Sequence, residues 1–428
     1  MSRPVNIAES PCSAPFARSA ALDGLRAIAI LWVFAFHAQA LLGGGLGGAE
    51  GGTLANLAET GLLGVQFFFV LSGFLLALPW MRAERSGYPA PSMGRFYRRR
   101  AGRILPAFYL HLAVLFGLIL PVLHGGLTLL GDRLGLLNLL THASLLHFLH
   151  PGSASSLGVN MALWSLSIEA QFYLLLPLLA PLFTGRRVWI ALPVAVMFSL
   201  LWKTTAPALL APWLWQSIPP DLLIYFDPVT GARMPYPPGA LALFVERQFP
   251  GEFMAFAFGM AAANLATRVE TARIAPGHSA RDTRLAITAL TILAVWAVVL
   301  SWVPFSSVLW GTNWRLYGMP MLLLSVAFLI LVAHLGSHRP PDRMPLLEAV
   351  LGNRALAGMG MISYSLFLWH EPLLRLVRMG WIALPGVTSP ALQVALGLAI
   401  AIVVAAVSFW AVERPVLKRP SASTPEPR

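Results

Sequence analysis

Runs of about twenty apolar residues recur along almost the whole chain, and this feature limits the possible folds more than any other. A helix needs about 20 apolar residues to cross the hydrocarbon core of a bilayer. The sequence therefore predicts an all-α, polytopic integral membrane bundle of about ten transmembrane helices. The predicted spans are residues 22–42, 61–80, 103–123, 163–183, 187–203, 241–264, 285–303, 315–335, 355–377 and 390–412.

The composition excludes several other classes of protein. Only 11% of the 428 residues are charged and 57% are hydrophobic, whereas roughly 25% are charged in soluble domains. The formal net charge of +12 would indicate nucleic-acid binding only if basic residues were gathered with aromatic ones on one face. Here they separate the hydrophobic runs, so no nucleic-acid partner is expected. The single cysteine, Cys12, excludes an intramolecular disulfide.

Positive charges alternate between the two sides of the predicted bundle. Lysine and arginine accumulate in cytoplasmic connections, and most of the 30 such residues do so here if both termini are cytoplasmic. The longest connections, 124–162 and 204–240, then lie outside. We expect a cytoplasmic tail without a signal peptide (1–20), a membrane domain (21–418) and a disordered cytoplasmic tail (419–428). The expected location is the cell inner (plasma) membrane, with multiple passes.

Two ionisable residues share one face of the first span. Ionisable groups inside a bilayer cost several kcal/mol each, so they are candidate functional residues. Arg26 and His37 are separated by about three helical turns plus 20°, which is about 16 Å along the axis. A histidine that only hydrogen-bonds to a neighbouring helix is the alternative for His37.

Further polar residues are predicted in the outer half of the bilayer, at a depth similar to that of His37. Glu169 follows the interface residue Trp164 in the fourth span. Tyr364 and His370 lie in the ninth span. A carboxylate beside an imidazole fixes its tautomer and raises its basicity, as general-base catalysis requires. The alternatives are a carboxylate exposed to outer water and a packed histidine.

A dense group of arginines lies on the cytoplasmic side, between Arg95 and Pro106. Arg100 and Arg103 are three residues apart, so they are neighbours on one helical turn. Arginine binds phosphate oxygens through two parallel hydrogen bonds, and the pair is therefore a candidate site for a phosphorylated cosubstrate. Orientation of the chain and contact with anionic lipid headgroups are the alternative.

Two other patterns do not indicate a function. The glycine-rich segment 43–48 satisfies G-x-G-x-x-G, but no strand precedes it and no nucleotide-binding helix follows it. His142, His147 and His150 have no acidic or cysteine partner nearby in sequence, and their spacing suits no common metal site. No metal is expected.

Taken together and in order, these segments closely resemble the acyltransferase-3 family of integral membrane O-acyltransferases. The resemblance covers about residues 20–418 and includes the segments LDGLRAIAILWVFAFHA, RRRAGRILPAFYL, SYSLFLWHEPLL and ERPVLK. Three family motifs are matched: Arg-x10-His by Arg26 and His37, Arg-x-x-Arg by Arg100 and Arg103, and Trp-Ser-Leu-x-x-Glu by Trp164 to Glu169. Many members have two adjacent acidic residues where this chain has Glu169 and Ala170, so the role is assigned to Glu169 alone.

The resemblance implies a function and a set of site residues. The implied enzyme moves an acyl group, with acetyl expected, from cytoplasmic acyl-CoA to a hydroxyl of a glycan or other envelope-linked acceptor. Its expected partners are the lipid bilayer and a glycan or lipid-linked sugar. The implied site residues are His37 and Glu169 for catalysis, Arg26, Arg100 and Arg103 for binding acyl-CoA, and Tyr364, His370 and Trp164 for binding the substrate.

A proton-coupled membrane transporter is the main alternative, because buried His and Glu also form proton relays. Many transporters have internal repeats, and none is visible here, while the arginine group favours a phosphorylated cosubstrate. A non-catalytic lipid-binding scaffold would leave the pairing of Arg26 with His37 without a purpose. The enzyme is the leading hypothesis.

Overall fold

The computed structural model describes seven stretches of the chain. They are residues 19–43, 52–123, 131–154, 156–226, 232–272, 279–337 and 345–418. The C-terminal tail 419–428, nearly all of the N-terminal tail, Cys12 and most of the glycine-rich segment lie outside the described residues. The predictions made for them stay predictions.

Helices dominate the first half of the described chain. A 3₁₀ turn joins α2 to α3, and a π-helical turn joins α4 to α5. In chain order the helices are α1 (Ala20–Leu42), α2 (Thr53–Glu59), α3 (Gly64–Ser86), α4 (Met93–Val114), α5 (Leu120–Leu123), α6 (Arg133–Ala143), α7 (Pro151–Ala154), α8 (Trp164–Leu179) and α9 (Val188–Ser217).

The second half adds one short antiparallel hairpin and ten further helices. The hairpin pairs β1 (Ile224–Phe226) with β2 (Arg233–Pro235). The helices are α10 (Pro238–Glu246), α11 (Phe249–Ala272), α12 (Ser279–Trp302), α13 (Phe305–Trp310), α14 (Met319–Ser337), α15 (Pro345–Leu351), α16 (Arg354–Met361), α17 (Ser363–Arg378), α18 (Pro390–Ser408) and α19 (Arg414–Leu417). The all-α membrane bundle predicted from the sequence is confirmed.

Helices occupy all ten predicted spans, but fewer of them have the length and hydropathy of a membrane-crossing helix. Eight helical segments of the described chain meet both criteria. The two predicted spans outside this group correspond to α11 and α17, which carry the buried polar residues Glu252 and Asn264, and His370 and Glu371. The eight candidates support a multi-pass protein, and ten crossings stay a prediction.

The helix α9 extends further than the sequence suggested. The fifth span was placed at 187–203, with an outer connection at 204–240, whereas α9 continues through Pro207 and Pro212 to Ser217. Proline removes a backbone donor, but helices of membrane bundles tolerate it because neighbouring groups compensate for the lost hydrogen bond. The real connection is correspondingly shorter.

The helices α3 and α11 pack with almost no space between their backbones. A side-chain carbon at Gly73 would collide with the carbonyl of Phe256, and one at Gly259 with the carbonyl of Val70. Small residues permit this close approach in membrane bundles.

The helix α1 occupies a central position and positions the site. It packs against α3 on one side and against α16 and α17 on the other. Ser19 caps its start by accepting a hydrogen bond from the Leu22 amide over 3.2 Å. The contact with α17 brings the C-terminal half of α1, with His37, against the adjacent residues His370 and Glu371.

Candidate active site

Two groups of polar side chains lie inside the bundle. We define the histidine centre as His37, His370, Glu371 and Arg375, and the arginine cluster as Arg100, Arg103, Glu169 and Tyr364. Both groups use α17, which contributes Tyr364 to the cluster and His370 to the centre. Six residues of helix separate these two positions by about 9 Å along the axis.

The histidine centre joins α1 to α17. The Nδ1 atom of His37 lies 3.2 Å from the Nε2 atom of His370, and the two ring centroids are 4.9 Å apart. The Nε2 atom of His37 lies 3.4 Å from a carboxylate oxygen of Glu371. His370 and Glu371 are buried, while 13% of the His37 side chain is exposed. His37 is therefore the most exposed member of the centre.

The hydrogen-bond partners fix where the ring protons lie. His370 Nδ1 faces the carbonyl oxygens of Phe367 at 2.8 Å and Leu366 at 3.1 Å. Carbonyls only accept, so this nitrogen carries the proton and Nε2 of neutral His370 accepts. His37 Nδ1, which also faces the Val33 carbonyl at 3.0 Å, must then be the donor. The Nε2 atom of neutral His37 consequently holds a free lone pair.

Glu371 is held in place by groups from three directions. One carboxylate oxygen accepts a hydrogen bond from the Ala162 amide over 2.9 Å, and the other lies 3.4 Å from the Arg375 guanidinium. Arg375 in turn donates to the Val159 carbonyl over 3.2 Å. A lone pair on His37 and a carboxylate repel each other, so their contact becomes attractive when His37 gains a proton. The centre is arranged to stabilise an imidazolium.

Glu371 is the residue that the sequence interpretation missed. It stands next to His370 in the run SYSLFLWHEPLL, but Glu169 was assigned as the catalytic carboxylate. The structure brings Glu371 to His37 and places Glu169 elsewhere, where it accepts a hydrogen bond from Ser72 over 2.5 Å and another from Tyr173. The sequence signal that could have identified Glu371 was a carboxylate directly after a histidine in a predicted span.

The arginine cluster lies between α4, α17 and the last helical segment. Arg103 forms a 3.0 Å ion pair with the buried carboxylate of Glu413 and lies 5.9 Å from the ring centroid of Tyr364. The Tyr364 hydroxyl donates to the Ile104 carbonyl over 3.0 Å. Glu413 also accepts a hydrogen bond from Ser365. These contacts link the RRRAGRILP segment to the terminal ERPVLK segment.

Arg100 interacts electrostatically with Arg103 and Glu169, so Glu169 belongs to the arginine cluster. Arg26 forms a 2.7 Å ion pair with Asp23 on its own helix, and 33% of its side chain is exposed. The structure brings Arg100 and Arg103 together, as their spacing predicts.

Trp164 lies at the start of α8, surrounded by aromatic and cationic groups. Its ring centroid is 6.1 Å from that of Phe69 and 5.3 Å from that of Phe148. The guanidinium of Arg247 lies over the ring at 5.3 Å, which is within the range of a cation–π contact. Trp164 follows Ala162, the residue whose amide holds Glu371.

A second group of histidines lies in the connection before α8. The rings of His142 and His147 are stacked at 4.2 Å, and both are fully buried. Burial lowers the pKa of His147 to about 4 and that of His142 well below its usual value. Within the described ranges, no three His, Cys, Asp or Glu side chains are arranged to hold a metal ion.

The fold and the site define a helical integral membrane protein with a buried histidine–carboxylate centre suited to proton transfer. A family model described as an acyltransferase domain matches residues 19–410, and the chain belongs to this acyltransferase-3 family. The recognition made from the sequence motifs is confirmed.

Two relatives illustrate the similarity. The peptidoglycan O-acetyltransferase OatA of Listeria monocytogenes is 25% identical over 409 residues, which are 93% of this chain and 55% of the relative. The acyltransferase MdmB of Streptomyces mycarofaciens is 34% identical over 181 residues, which are 40% of this chain and 42% of the relative. The chain thus matches about half the length of these relatives. No solved structure matches it.

Proposed function

We propose that this protein is a membrane O-acyltransferase that transfers an acyl group, with acetyl as the leading candidate, from acyl-CoA to a hydroxyl of a glycan or other envelope-linked acceptor. The observation that carries the proposal is the position of His37 Nε2, 3.4 Å from the fixed carboxylate of Glu371, with Nδ1 held by His370. Family membership and the peptidoglycan O-acetyltransferase activity of the Listeria monocytogenes relative support it.

In the proposed reaction, His37 is the general base. Its Nε2 atom takes the proton of the acceptor hydroxyl while the hydroxyl oxygen forms a bond to the thioester carbonyl carbon. The carbon–sulfur bond then breaks, and the departing thiolate takes the proton from Nε2. The products are the ester and free CoA. Glu371 stabilises the imidazolium that exists between these two proton transfers.

A second route would acylate His37 Nε2 first and then transfer the acyl group to the acceptor. It uses the same lone pair, with the thiolate leaving before the acceptor arrives. Pre-steady-state kinetics distinguish the two routes, because the enzyme mixed with acetyl-CoA and no acceptor releases a rapid burst of about one equivalent of CoA only if an acyl-histidine forms.

The arginine cluster is the proposed binding site for the phosphates of acyl-CoA. Arg100 and Arg103 present guanidinium groups whose planar geometry matches phosphate oxygens. Each is balanced in the absence of substrate by a carboxylate, Glu169 for Arg100 and Glu413 for Arg103. We propose that donor binding redistributes these contacts, and that Arg26 assists at the cytoplasmic end of α1.

Burial of the centre favours transfer over hydrolysis. His370 and Glu371 are 0% and 1% exposed, and 13% of the His37 side chain is exposed. Water exclusion limits wasteful hydrolysis and strengthens the electrostatic effect of Glu371. Tyr364, His370 and Trp164 are proposed to position the substrates around this path.

We also propose the cellular location of the protein and the bounds of its catalytic domain. Residues 21–418 form the acyltransferase domain, embedded in the inner (plasma) membrane with both termini in the cytoplasm, where acyl-CoA is available. The acceptor is a glycan or lipid-linked sugar that reaches the centre from the outer half, where the charge pattern places His37.

The test is release of free CoA by the full chain in lipid nanodiscs supplied with acetyl-CoA, with and without an envelope glycan extract. We expect glycan-stimulated release that falls at least about 100-fold in His37→Gln. His334→Gln is the matched control, because His334 is also a buried histidine on a spanning helix. Full activity of His37→Gln would contradict the proposed mechanism.

A further inference from the structure

A second buried polar site lies near the predicted outer ends of several helices. Gln66 and Glu252 belong to the first turns of α3 and α11, and Trp314 and Arg315 to the π-helical turn that precedes α14. A small cavity of about 20 Å³ lies between them. We define the outer pocket by the polar residues that line this cavity: Gln66, Lys203, Glu246, Arg247, Glu252, Trp314 and Arg315.

The outer pocket contains more positive than negative charge. Lys203 Nζ lies 3.1 Å from Glu252, and the Arg315 guanidinium lies 2.8 Å from Glu246. Arg247, which also lines the cavity, adds a third cation without a third carboxylate. When all five groups are ionised, the formal charge is +1. Ionic groups are costly to place at such depth, and they are candidate functional groups for that reason.

The buried polar atoms that line the outer pocket include one acceptor and one donor for which the described part of the chain offers no hydrogen-bond partner. They are the amide oxygen Oε1 of Gln66 and the indole nitrogen Nε1 of Trp314, whose residues are 3% and 9% exposed. A buried polar group without a partner is costly, so such atoms indicate a site for an ordered water or a ligand. One atom accepts a hydrogen bond and the other donates.

A five-residue segment connects the outer pocket to the histidine centre. Asn160 donates to the Leu368 carbonyl of α17 over 2.9 Å, and the Ala162 amide holds Glu371. Trp164, at the end of the segment, supports Arg247. A molecule anchored in the outer pocket is therefore bound next to the segment that positions the catalytic carboxylate.

We propose that the outer pocket binds a carboxylate of the acceptor, so that the acceptor is a sugar bearing a carboxylic acid. This inference rests on the proposed function. The excess positive charge and the indole N–H suit a carboxylate, while Gln66 Oε1 suits an adjacent hydroxyl. The cavity has room for about one water-sized group, so a single oxygen of the carboxylate would enter it while the sugar ring stays outside.

The experiment compares two acceptors in nanodiscs. One is a tetrasaccharide of alternating N-acetylglucosamine and glucuronic acid, and the other is its carboxyl-reduced counterpart, which has the same hydroxyls plus new primary alcohols. We expect wild type to have a KM for the acidic sugar at least about tenfold below that for the reduced sugar. Trp314→Phe keeps an aromatic ring but removes the indole N–H, and Arg315→Gln removes the positive charge. Each should reduce the preference for the acidic sugar about tenfold.

The matched control is Arg233→Gln, which breaks the exposed ion pair of Arg233 with Asp132 and should keep the preference. Equal KM values for the two sugars in wild type would overturn the proposal. It would also be overturned if Trp314→Phe and Arg315→Gln lost activity equally on both sugars, as expected for a purely structural role.

Failure of the proposed function gives a different result. If wild type acylates neither sugar, binding is measured by the shift that each sugar produces in the midpoint of thermal unfolding. A shift with the acidic sugar that is smaller in Trp314→Phe supports the outer pocket without the acyltransferase activity. Absence of any shift in wild type overturns the pocket as well.

Discussion

The histidine centre and the arginine cluster differ in how they compensate for the free-energy cost of burying charged groups. In the centre, the carboxylate of Glu371 is satisfied by a backbone amide and by Arg375, which is buried beside it. In the cluster, the Arg103 side chain is 28% exposed and its partner Glu413 is 1% exposed. The fixed centre is organised for a reaction, whereas the more accessible cluster is organised for exchanging partners with a charged ligand.

The largest expected effect is the loss of Glu371. Glu371→Gln keeps the shape of the side chain but removes the charge that stabilises protonated His37, so we expect kcat to fall about 100-fold. KM for acetyl-CoA should change little, because the proposed donor site is the arginine cluster. Steady-state kinetics of CoA release measure both constants. A large rise in donor KM with kcat unchanged would contradict the assignment of the histidine centre to the reaction and of the arginine cluster to donor binding.

The next effect is on donor binding. Arg103→Gln should raise KM for acetyl-CoA about tenfold, as expected for loss of a charge-assisted contact with phosphate, with a smaller change in kcat. The single variant also leaves Glu413 buried without its cation, which destabilises the fold. The double variant Arg103→Gln, Glu413→Gln removes both charges and should recover thermal stability while KM stays high. Recovery of a normal KM would contradict donor binding by Arg103.

A smaller effect is expected at Glu169. Because this carboxylate contacts Ser72 and interacts with Arg100, Glu169→Gln should change donor KM by less than about tenfold. The pH profile of kcat, which reports the base in the enzyme–substrate complex, should keep its midpoint. A loss of kcat as large as that of Glu371→Gln would show that Glu169 acts at His37 after all.

The last prediction concerns the pH dependence of stability and involves the stacked histidines, His142 and His147, outside the predicted spans. The folded-state pKa of His147 is about 4, below the usual value of about 6.5. Below pH 6.5 the unfolded chain therefore binds a proton that the folded chain does not bind. The free energy of unfolding consequently falls as the pH decreases toward 4. His147 contributes on the order of 3 kcal/mol to this loss. Thermal unfolding between pH 7 and pH 4 measures it, and His147→Asn should flatten the curve.

Much of the fold was predictable because it depends on local sequence. Hydropathy gives the apolar spans, and positions such as Arg26 and His37 or Arg100 and Arg103 share faces by helical periodicity alone. The grouping of Arg100 with Arg103 follows from their separation of three residues and is seen in the structure.

The composition of the histidine centre was not predictable in the same way. It depends on which face of α17 meets α1, and that choice is made by packing between residues more than 300 positions apart in the chain. Depth in the membrane suggested Glu169 as a partner for His37, but equal depth does not imply contact. The course of α9 beyond Pro207 was likewise set by its neighbours and not by the intrinsic preference of proline.

The helix α17 carries residues of both the arginine cluster and the histidine centre, and its helical twist sets the angle between them. Tyr364 and His370 are six positions apart, and six steps of about 100° leave their side chains about 120° apart around the axis. A donor held at the cluster must therefore follow a third of a turn around α17, as well as its length, before its acyl group meets His37. A single residue inserted between the two positions would rotate one site against the other by about 100° while lengthening the path by only about 1.5 Å.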